Sequence, residues 1–232
     1  MKVVILAGGL GSRLSEYTKI LPKPMVKVLG TPIIVRIIKN YVKYGFKEFL
    51  IASGYKSKII EKYFQKNHKN LKIRVVNTGL KTMTGGRIKR LSKILNNESF
   101  LLTYGDGVSN VNIKNLVKFH KEKKNLVTLT AVRPPARFGG VRISGSKVKY
   151  FKEKSSLDEG WINGGFFVME SKFLKFIKND NTFLERDPFE QLTKKKQLLG
   201  YKHNGFWQCM DTIRDKEILE KKIKYNHRLE KK

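Results

Sequence analysis

The 232-residue sequence contains a single cysteine, Cys209, and this scarcity limits what the protein can be. One cysteine cannot form an internal disulfide framework or a multi-cysteine zinc site. Long apolar runs are also missing, because no window of the sequence reaches the roughly 18 uninterrupted apolar residues typical of a membrane-spanning helix. We therefore expect a protein with neither disulfide bonds nor a membrane span.

Acidic residues are scarce as well, with 19 Asp and Glu against 49 Lys and Arg, which gives a formal net charge of +30. A charge of this size raises the possibility of nucleic-acid binding. Only 11 of the basic residues are arginine, the type that base readout and bidentate phosphate contacts prefer. We interpret the lysine excess, which is spread along the chain, as a background that favours anionic substrates, and we expect no nucleic-acid partner.

The composition and the first residues indicate a folded protein. A hydrophobic content of 40% excludes an intrinsically disordered chain, and the length suffices for a large buried core. The apolar run Val3 to Ala7 opens into glycines, which is typical of a buried parallel strand entering a loop. A signal peptide would need a longer apolar stretch, so we expect a cytoplasmic location.

Strand and helix patterns alternate over the first half of the chain. After the first strand, the predicted strands span 49–52, 73–76, 100–104 and 126–132. The first predicted helix has Thr31 as its N-cap and Pro32 at the first helical position. Further helices are predicted over 58–64, 86–95 and 113–123. This alternation predicts an α/β fold with a mostly parallel sheet and helices on both faces.

The pattern changes after Pro134. Short strands predicted at 141–143, 148–151 and 161–169 suggest a smaller mixed sheet layered on the first one. Further patterns predict helices over 182–196 and from 212 to the end, with an extended segment at 199–203. No internal repeat or flexible linker separates the halves, so we expect a single domain over 1–232.

A glycine-rich loop, residues 8–13, follows the first predicted strand. Such a loop exposes backbone N–H groups that can hold a triphosphate, and glycine allows close approach because it lacks a Cβ. Two familiar phosphate loops do not match: the Gly-Lys-Ser/Thr of a Walker loop is absent, and Leu14 replaces the third glycine of the dinucleotide fingerprint. A plain tight turn is the alternative, but it explains three glycines followed by Arg13 less well than a phosphate-binding loop does.

Lys23 lies between two prolines, Pro22 and Pro24, which restrict the backbone on both sides. Most isolated lysines of this kind are surface residues. A lysine held rigidly shortly after a phosphate-binding loop is better explained as a contact to a phosphate group.

Two aspartates are candidates for metal binding. Asp106 stands between glycines at the end of a predicted strand, the edge where open α/β sheets bind ligands. Asp211 lies between an apolar extended run and the last helix. Mg²⁺ works through one or two carboxylates plus substrate phosphates. An Asp-Gly turn explains Asp106 about equally well, and a helix N-cap role for Asp211 is compatible with metal binding.

These motifs together resemble the sugar-1-phosphate nucleotidylyltransferases. The run from Leu6 to Leu14, followed by Pro22-Lys23-Pro24, resembles the family signature. Segments that resemble the cytidylyl branch, which acts on glucose 1-phosphate, lie at 82–87, 103–108, 162–168 and 206–212. The resemblance implies a Rossmann-like, mostly parallel sheet flanked by helices, of the nucleotide-diphospho-sugar transferase type, with a smaller mixed β subdomain. It also implies a Mg²⁺-dependent enzyme that makes CDP-glucose and pyrophosphate from CTP and glucose 1-phosphate.

The resemblance assigns roles to the residues that match the family motifs. Residues implied in nucleotide or substrate binding are Leu6, Ala7, Gly8, Gly9, Leu10, Gly11, Ser12, Arg13, Lys23, Thr82, Arg87, Gly105, Lys154 and Asn163. Thr82 and Arg87 are implied beside the cytosine, and Lys154 at the sugar phosphate, although Ser155 replaces the proline that follows this lysine in the family. Arg13, Lys23 and Asp106 are implied in catalysis, and Asp106 with Asp211 in Mg²⁺ binding.

The resemblance also carries expectations about the whole protein. It implies that residues 1–133 form a nucleotide-binding half and residues 134–232 a half that binds the sugar phosphate. It further implies a homo-oligomer, and a place in bacterial cell-surface polysaccharide synthesis such as that of the lipopolysaccharide O-antigen.

The implied reaction needs no general base, because the attacking phosphate oxygen is already anionic at neutral pH. The sequence fits this expectation, since it holds no clear serine–histidine arrangement. The four histidines, His68, His120, His203 and His227, are expected to be surface or packing residues. Cys209 is expected to be a small buried side chain rather than a nucleophile.

Three alternatives stay open at this point. Within the same fold, dTTP, GTP or another nucleotide could replace CTP. A basic nucleic-acid-binding protein would interleave aromatic residues with an arginine-rich surface, whereas the Phe and Tyr residues here lie mostly in apolar strands. A catalytically silent subunit would have no need to keep Arg13, Lys23, Asp106 and Asp211.

Overall fold

The computed structural model describes residues 1–134, 140–152 and 160–229. The strands are β1 (Val3–Ala7), β2 (Lys27–Val28), β3 (Thr31–Pro32), β4 (Glu48–Ser53), β5 (Lys72–Asn77), β6 (Phe100–Tyr104), β7 (Gly107–Ser109), β8 (Val127–Val132), β9 (Gly140–Ser144), β10 (Lys147–Lys152), β11 (Ile162–Met169), β12 (Leu198–His203) and β13 (Trp207–Cys209). The helices are α1 (Ser15–Thr18), α2 (Ile33–Lys43), α3 (Ser57–Lys66), α4 (Thr84–Arg90), α5 (Ser92–Leu95), α6 (Ile113–Lys123), α7 (Asp187–Lys194) and α8 (Ile213–Leu229). Short 3₁₀ turns lie at Ser12–Leu14, Lys23–Met25 and Ser171–Phe176.

Among the described residues, seven strands form the main sheet, in the order β12-β8-β11-β6-β1-β4-β5. All of them run parallel except β11, which is antiparallel to its neighbours β6 and β8. The predicted mostly parallel sheet is therefore confirmed. From β1 the chain builds β4 and β5 on one side, and it later returns to place β6 on the other. This reversal creates a switch point, and open α/β sheets bind ligands beyond the carboxyl ends of the strands at such a point.

Strand β1 is buried on both faces of the sheet, as its continuous apolar sequence predicts. Val3 and Ile5 face a core that also contains buried residues of α2, α6 and α8. Val4 and Leu6 face a second core, built with residues of α4, α5 and α7. Helices thus cover both faces. None of the helices in the described part of the chain combines the length and apolarity needed to cross a bilayer.

The start of α2 differs from the sequence-based expectation. Thr31 is not the N-cap, and Pro32 is not the first helical residue. Thr31 pairs with Val28 in an antiparallel ribbon of β2 and β3, so its backbone is committed to an extended ladder. Pro32 becomes the N-cap with φ −53° and ψ 139°, and the helix begins one residue later, at Ile33.

The second half of the chain contributes more to the main sheet than the sequence suggested. The strand predicted at 161–169 is β11, which lies inside the main sheet between β8 and β6 rather than in a smaller sheet. The extended segment predicted at 199–203 is β12, an edge strand of the same sheet. In the part of the chain that the structure describes, the small sheets are three two-stranded antiparallel ribbons, β9 with β10, β7 with β13, and β2 with β3. A continuous apolar run predicts a buried strand, but it does not predict which strands pair with it.

Two predicted helices also have different limits. The helix expected over 86–95 divides into α4 and α5 around Leu91. The helix expected over 182–196 shortens to α7, which begins at Asp187 with Pro188 in its first turn. Pro188 fits the first turn, where its missing N–H leaves no hydrogen bond unmade.

We expect Phe166 of β11 to be a major source of stability. Its side chain is 1% exposed, and its ring centroid lies 6.2 Å from that of Tyr41 in α2. Replacing Phe166 by alanine should lower the free energy of unfolding by about 3–5 kcal/mol, as for other buried Phe→Ala changes.

The control is Phe151→Ala in β10, where the ring is 65% exposed. That variant should stay within about 0.5 kcal/mol of the original protein in urea denaturation. Equal losses in the two variants would contradict the placement of β11 inside the main sheet.

Candidate active site

A cleft of about 610 Å³ opens beyond the carboxyl ends of β1 and β6, at the switch point of the sheet. It is lined by most of the residues that the sequence singled out: Leu6, Ala7, Gly8, Gly9, Gly11, Ser12, Arg13, Lys23, Thr82, Arg87, Gly105, Asp106, Asn163 and Asp211. Leu10 belongs to the same loop but does not line the cleft, and its side chain is 56% exposed. Lys154 and its neighbours Glu153 and Ser155 lie outside the described residues.

The glycine-rich loop leaves β1 and turns sharply into the 3₁₀ turn Ser12–Leu14. Gly11 adopts the left-handed conformation, with φ +67°. Its carbonyl accepts a hydrogen bond from the Leu14 N–H at 2.9 Å, which closes the turn. A Cβ on Gly9 would meet no protein atom within 4 Å, so the backbone there is open to a close approach by a ligand.

Arg87 of α4 ties this loop to the sheet. Its side chain is buried, and its guanidinium donates to Gly8 O at 3.0 Å, Gly79 O at 2.8 Å and Ser53 O at 3.0 Å. Burial and the neighbouring Arg90 lower the pKa of Arg87. A Cβ on Gly8 would lie 2.0 Å from Arg87 Nη1, so this glycine makes room for the guanidinium. The structure therefore shows Arg87 shaping the loop, and its role beside a base stays a prediction.

Lys23 joins the two aspartates predicted to bind a metal. Its Nζ lies 2.7 Å from Asp106 Oδ2 and 2.5 Å from Asp211 Oδ1, and its side chain is only 12% exposed. Burial lowers the pKa of the Lys23 ammonium, but the attraction of Asp106 and hydrogen bonds to both carboxylates outweigh burial and raise that pKa overall. Lys23 is therefore a fixed positive charge in the floor of the cleft.

Arg13 reaches the same cluster from the glycine-rich loop. Its Nη1 lies 3.1 Å from Asp211 Oδ2, and its side chain is 72% exposed. An ion pair this exposed is weak, so the guanidinium can exchange its carboxylate partner for an anionic ligand at little cost. The cluster of Arg13, Lys23, Asp106 and Asp211 holds two positive and two negative charges, arranged around one end of the cleft.

The donor set of this cluster fits a divalent cation such as Mg²⁺. Two carboxylates from distant parts of the chain already converge on one cation, the Lys23 ammonium. Among the described residues, no group of three or more His, Cys, Asp or Glu side chains is placed to hold a metal. A pair of carboxylates that leaves the remaining positions to phosphate oxygens and water is the arrangement typical of Mg²⁺ sites.

Asp211 is held in place by the start of α8. The helix cap is Thr212, not Asp211: the Asp215 N–H donates to Thr212 Oγ1 at 3.2 Å, and the Thr212 N–H donates to Asp215 Oδ2 at 3.0 Å. This reciprocal pair is a capping box with aspartate in the acidic position. The Asp211 N–H also donates to Asp215 Oδ2, at 3.2 Å. The Asp211 carboxylate therefore stays free of capping and is available to the cleft.

Several residues of the cleft wall were not given a role from the sequence. Tyr104 packs at the end of β6, and the Trp207 indole donates to Gly164 O at 2.7 Å. Both aromatic residues lie in segments that resemble the family, and this location was the one sequence signal that could have identified them as site residues. Phe183 and the nearby Glu185 lie in the segment before α7. The sequence predicted a continuous helix there, so neither residue was recognised as part of the site.

His120 is a packing residue, as the sequence predicts, whereas Cys209 is half-buried rather than fully buried. Cys209 lies in the cleft wall, and burial, with Asp211, raises its thiol pKa to about 11, so the thiol is protonated and poorly nucleophilic at neutral pH. His120 is 2% exposed, and its ring nitrogens contact Thr128 Oγ1 at 2.9 Å and Glu170 Oε1 at 3.0 Å. It is a packing residue and does not line the cleft.

A glycine-rich loop at the switch point, beside paired carboxylates and cations, is an arrangement suited to binding a nucleotide through its phosphates. Residues 2–215 match the family of nucleotidyl transferases, and the chain belongs to that family.

Within the family, the chain is 43% identical to glucose-1-phosphate cytidylyltransferase of Salmonella typhi, over 95% of each chain. It is 32% identical to D-glycero-alpha-D-manno-heptose 1-phosphate guanylyltransferase of Aneurinibacillus thermoaerophilus, over 89% of each chain. Among solved structures, HddC from Yersinia pseudotuberculosis superposes with a TM-score of 0.75 at 24% identity, over 96% of this chain and 99% of that one. This last likeness concerns the fold alone.

We expect the first two glycines of the loop to respond differently to alanine. Gly8→Ala places a Cβ against the anchored Arg87 guanidinium, so it should lower the free energy of unfolding by about 1–3 kcal/mol, as overpacking does. The same change should also weaken nucleotide binding. Gly9→Ala meets open space and should keep the stability while it loses affinity for CTP, because the new methyl group obstructs the phosphates.

Thermal unfolding and calorimetric titration with CTP separate the two effects. If Gly9→Ala bound CTP as tightly as the original protein, close approach of phosphates to this part of the loop would be excluded.

Proposed function

We propose that the protein transfers a cytidylyl group from CTP to α-D-glucose 1-phosphate and releases CDP-glucose and pyrophosphate. The observation that carries this proposal is the cluster of Lys23, Arg13, Asp106 and Asp211 beside the glycine-rich loop. The 43% identity to a glucose-1-phosphate cytidylyltransferase supports the choice of base and sugar.

The reaction replaces one phosphoanhydride bond with another. A phosphate oxygen of glucose 1-phosphate attacks the α-phosphorus of CTP, and the bond between the α-phosphorus and the bridging oxygen to the β-phosphate breaks. Pyrophosphate leaves with the electron pair of that bond. The attacking oxygen is already anionic near neutral pH, so no side chain has to remove a proton. The absence of a serine–histidine pair from the described cleft wall is consistent with this chemistry.

Repulsion between the two anionic substrates is the main barrier that the site has to lower. Lys23 supplies a buried positive charge in the floor of the cleft, and Arg13 supplies an exposed one at its rim. A charge held in place, such as that of Lys23, acts without reorganising and so stabilises charge that develops in the transition state. We propose that Lys23 contacts the phosphates and that Arg13 stabilises the departing pyrophosphate.

We further propose that Asp106 and Asp211 hold Mg²⁺ together with the nucleotide phosphates. When bound, Mg²⁺ would neutralise phosphate charge as a Lewis acid. Lys23, Asp106 and Asp211 belong to different elements, and the sheet and the cap of α8 bring them together before any ligand arrives. That preorganisation reduces the entropy lost when the substrates are oriented.

The remaining binding roles belong to the same proposal. Thr82, which is buried in the cleft wall beside α4, would contact the base together with Arg87. Asn163 would contact the base or the sugar from β11, and Lys154 would meet the sugar phosphate. A homo-oligomeric state, a cytoplasmic location and a supply of CDP-glucose to cell-surface polysaccharide synthesis stay predictions.

The substrate assignment is tested by a nucleotide panel. With glucose 1-phosphate and Mg²⁺, we expect CTP to support pyrophosphate release at least about tenfold better than dTTP, UTP, GTP or ATP, because one well-satisfied hydrogen-bonding site for a base discriminates by about this much. Pyrophosphate release and mass spectrometry of the nucleotide sugar give the measurement. A preference for dTTP would defeat the cytidylyl assignment and leave the family assignment standing.

The carboxylates are tested by Asp106→Asn. Loss of this charge should lower turnover by about 10²–10³-fold at every Mg²⁺ concentration, since an amide cannot replace a carboxylate ligand. Binding of Mn²⁺ in the presence of CTP, followed by electron paramagnetic resonance, should weaken in parallel.

Asp187→Asn is the matched control, since Asp187 is exposed in the first turn of α7 and does not line the cleft. It should keep both turnover and Mn²⁺ binding. Turnover near the original level in Asp106→Asn would refute the metal assignment.

A further inference from the structure

Tyr104 is held rigidly in the cleft wall by its aromatic ring. The ring meets Phe167 edge to face, with centroids 5.7 Å apart and an interplanar angle of 84°. On the neighbouring strand, a Cβ on Gly165 would lie 2.6 Å from Tyr104 Cδ2, so this glycine makes space for the ring. Packing therefore decides where the hydroxyl group of Tyr104 lies, and hydrogen bonds are left to decide how it is oriented.

The hydroxyl group belongs to a chain of hydrogen bonds that crosses the cleft wall. Tyr104 Oη donates to Glu185 Oε1 at 2.6 Å, and Thr84 Oγ1 donates to Glu185 Oε2 at 2.7 Å. On the other side, Asn163 Nδ2 donates to Tyr104 Oη at 3.3 Å. The chain connects α4, β6 and β11 through one exposed carboxylate from the turn before α7.

Both ends of this chain fix its direction. The Gly165 N–H donates to Asn163 Oδ1 at 2.9 Å, which turns the amide group so that Nδ2 points to Tyr104. The Leu184 N–H donates to Thr84 Oγ1 at 2.9 Å, so the Thr84 proton goes to Glu185. A carboxylate accepts only. The Tyr104 proton is therefore directed at Glu185.

This direction decides what Tyr104 can offer to a ligand. A phenolic hydroxyl group donates one hydrogen bond and accepts up to two. Its proton is committed to Glu185 and one lone pair to Asn163, so the remaining capacity of Oη in the cleft is that of an acceptor. Burial and the charge of Glu185 raise the pKa of Tyr104, which keeps the proton in place.

We propose that Glu185 is a positioning residue that makes Tyr104 a hydrogen-bond acceptor for a hydroxyl group of the bound substrate. The proposal rests on the proposed function, which places a hexose and a ribose in this cleft. Both sugars offer hydroxyl donors, so the chemistry recognised is a sugar hydroxyl group, and the experiment decides between the two sources.

The experiment combines protein variants with deoxy substrates. The variants are Tyr104→Phe, Glu185→Gln, the double variant, and Glu190→Gln, an exposed glutamate of α7 that does not line the cleft, as the charge-matched control. Each is assayed with CTP and a series of monodeoxy glucose 1-phosphates, and with glucose 1-phosphate and the 2′- and 3′-deoxy forms of CTP. Calorimetry measures binding of the same ligands, and thermal unfolding reports on stability.

Tyr104→Phe should lose about 3- to 10-fold in kcat/KM for the substrate whose hydroxyl group is read, as expected for one hydrogen bond, with the unfolding midpoint unchanged. For one deoxy analogue, the one that lacks the hydroxyl group contacted by Tyr104, the kcat/KM of Tyr104→Phe should equal its kcat/KM for the parent substrate. A glucose analogue would identify the hexose as the source, and a CTP analogue the ribose. Glu185→Gln should show a similar loss, and the double variant should lose no more than Tyr104→Phe.

Two results would overturn the proposal. One is that the original protein and Tyr104→Phe discriminate every deoxy analogue equally, in turnover and in binding. The other is that the losses of Glu185→Gln and Tyr104→Phe multiply, because Glu185 would then act independently of Tyr104. If the original protein showed no turnover with any nucleotide, the proposed function would fail, whereas the calorimetric comparison would still decide the role of Tyr104.

Discussion

The pairing of one lysine with two aspartates is the constraint around which the site is organised. Lys23, Asp106 and Asp211 are far apart in the chain, and each follows a different element, yet two hydrogen-bonded ion pairs of 2.7 and 2.5 Å join them. A buried ammonium is costly without counter-charges, and two carboxylates left together would repel each other. Each group therefore requires the others, and we propose that the three mark the place where the anionic substrates and a divalent cation bind.

The rest of the cleft follows the same requirement that buried polar groups have partners. Arg87 donates hydrogen bonds to carbonyl groups just beyond β1, at the end of β4 and in the loop after β5, and so links three segments where the strands stop. Its bond to Gly8 places the glycine-rich loop, while Gly9 leaves that loop open. The capping box of α8 in turn spares Asp211 from a structural role. Structural and chemical tasks are thus assigned to adjacent residues.

The fold is shared widely, and the likeness in fold does not choose a substrate. A structure at 24% identity superposes with a TM-score of 0.75, and relatives at 43% and 32% identity carry the names of a cytidylyltransferase and a guanylyltransferase. We therefore expect specificity to depend on side chains in the walls of the cleft, such as Thr82, Asn163 and Tyr104. The direction of hydrogen bonds among such residues discriminates between ligands of similar shape, because an unpaired buried donor or acceptor is costly.

Local patterns were sufficient for the alternation of strands and helices, the glycine-rich loop, and the selection of Lys23, Asp106 and Asp211, because backbone periodicity and motif chemistry are properties of neighbouring residues. They could not reveal that Arg87 serves the glycine-rich loop, that β11 lies within the main sheet, or that Glu185 directs the proton of Tyr104. Those features join residues that are distant in the sequence: Arg87 and Gly8 are 79 positions apart, and Tyr104 and Glu185 are 81 positions apart. Contacts across such separations form only when the sheet has been assembled, so tertiary structure alone decided them.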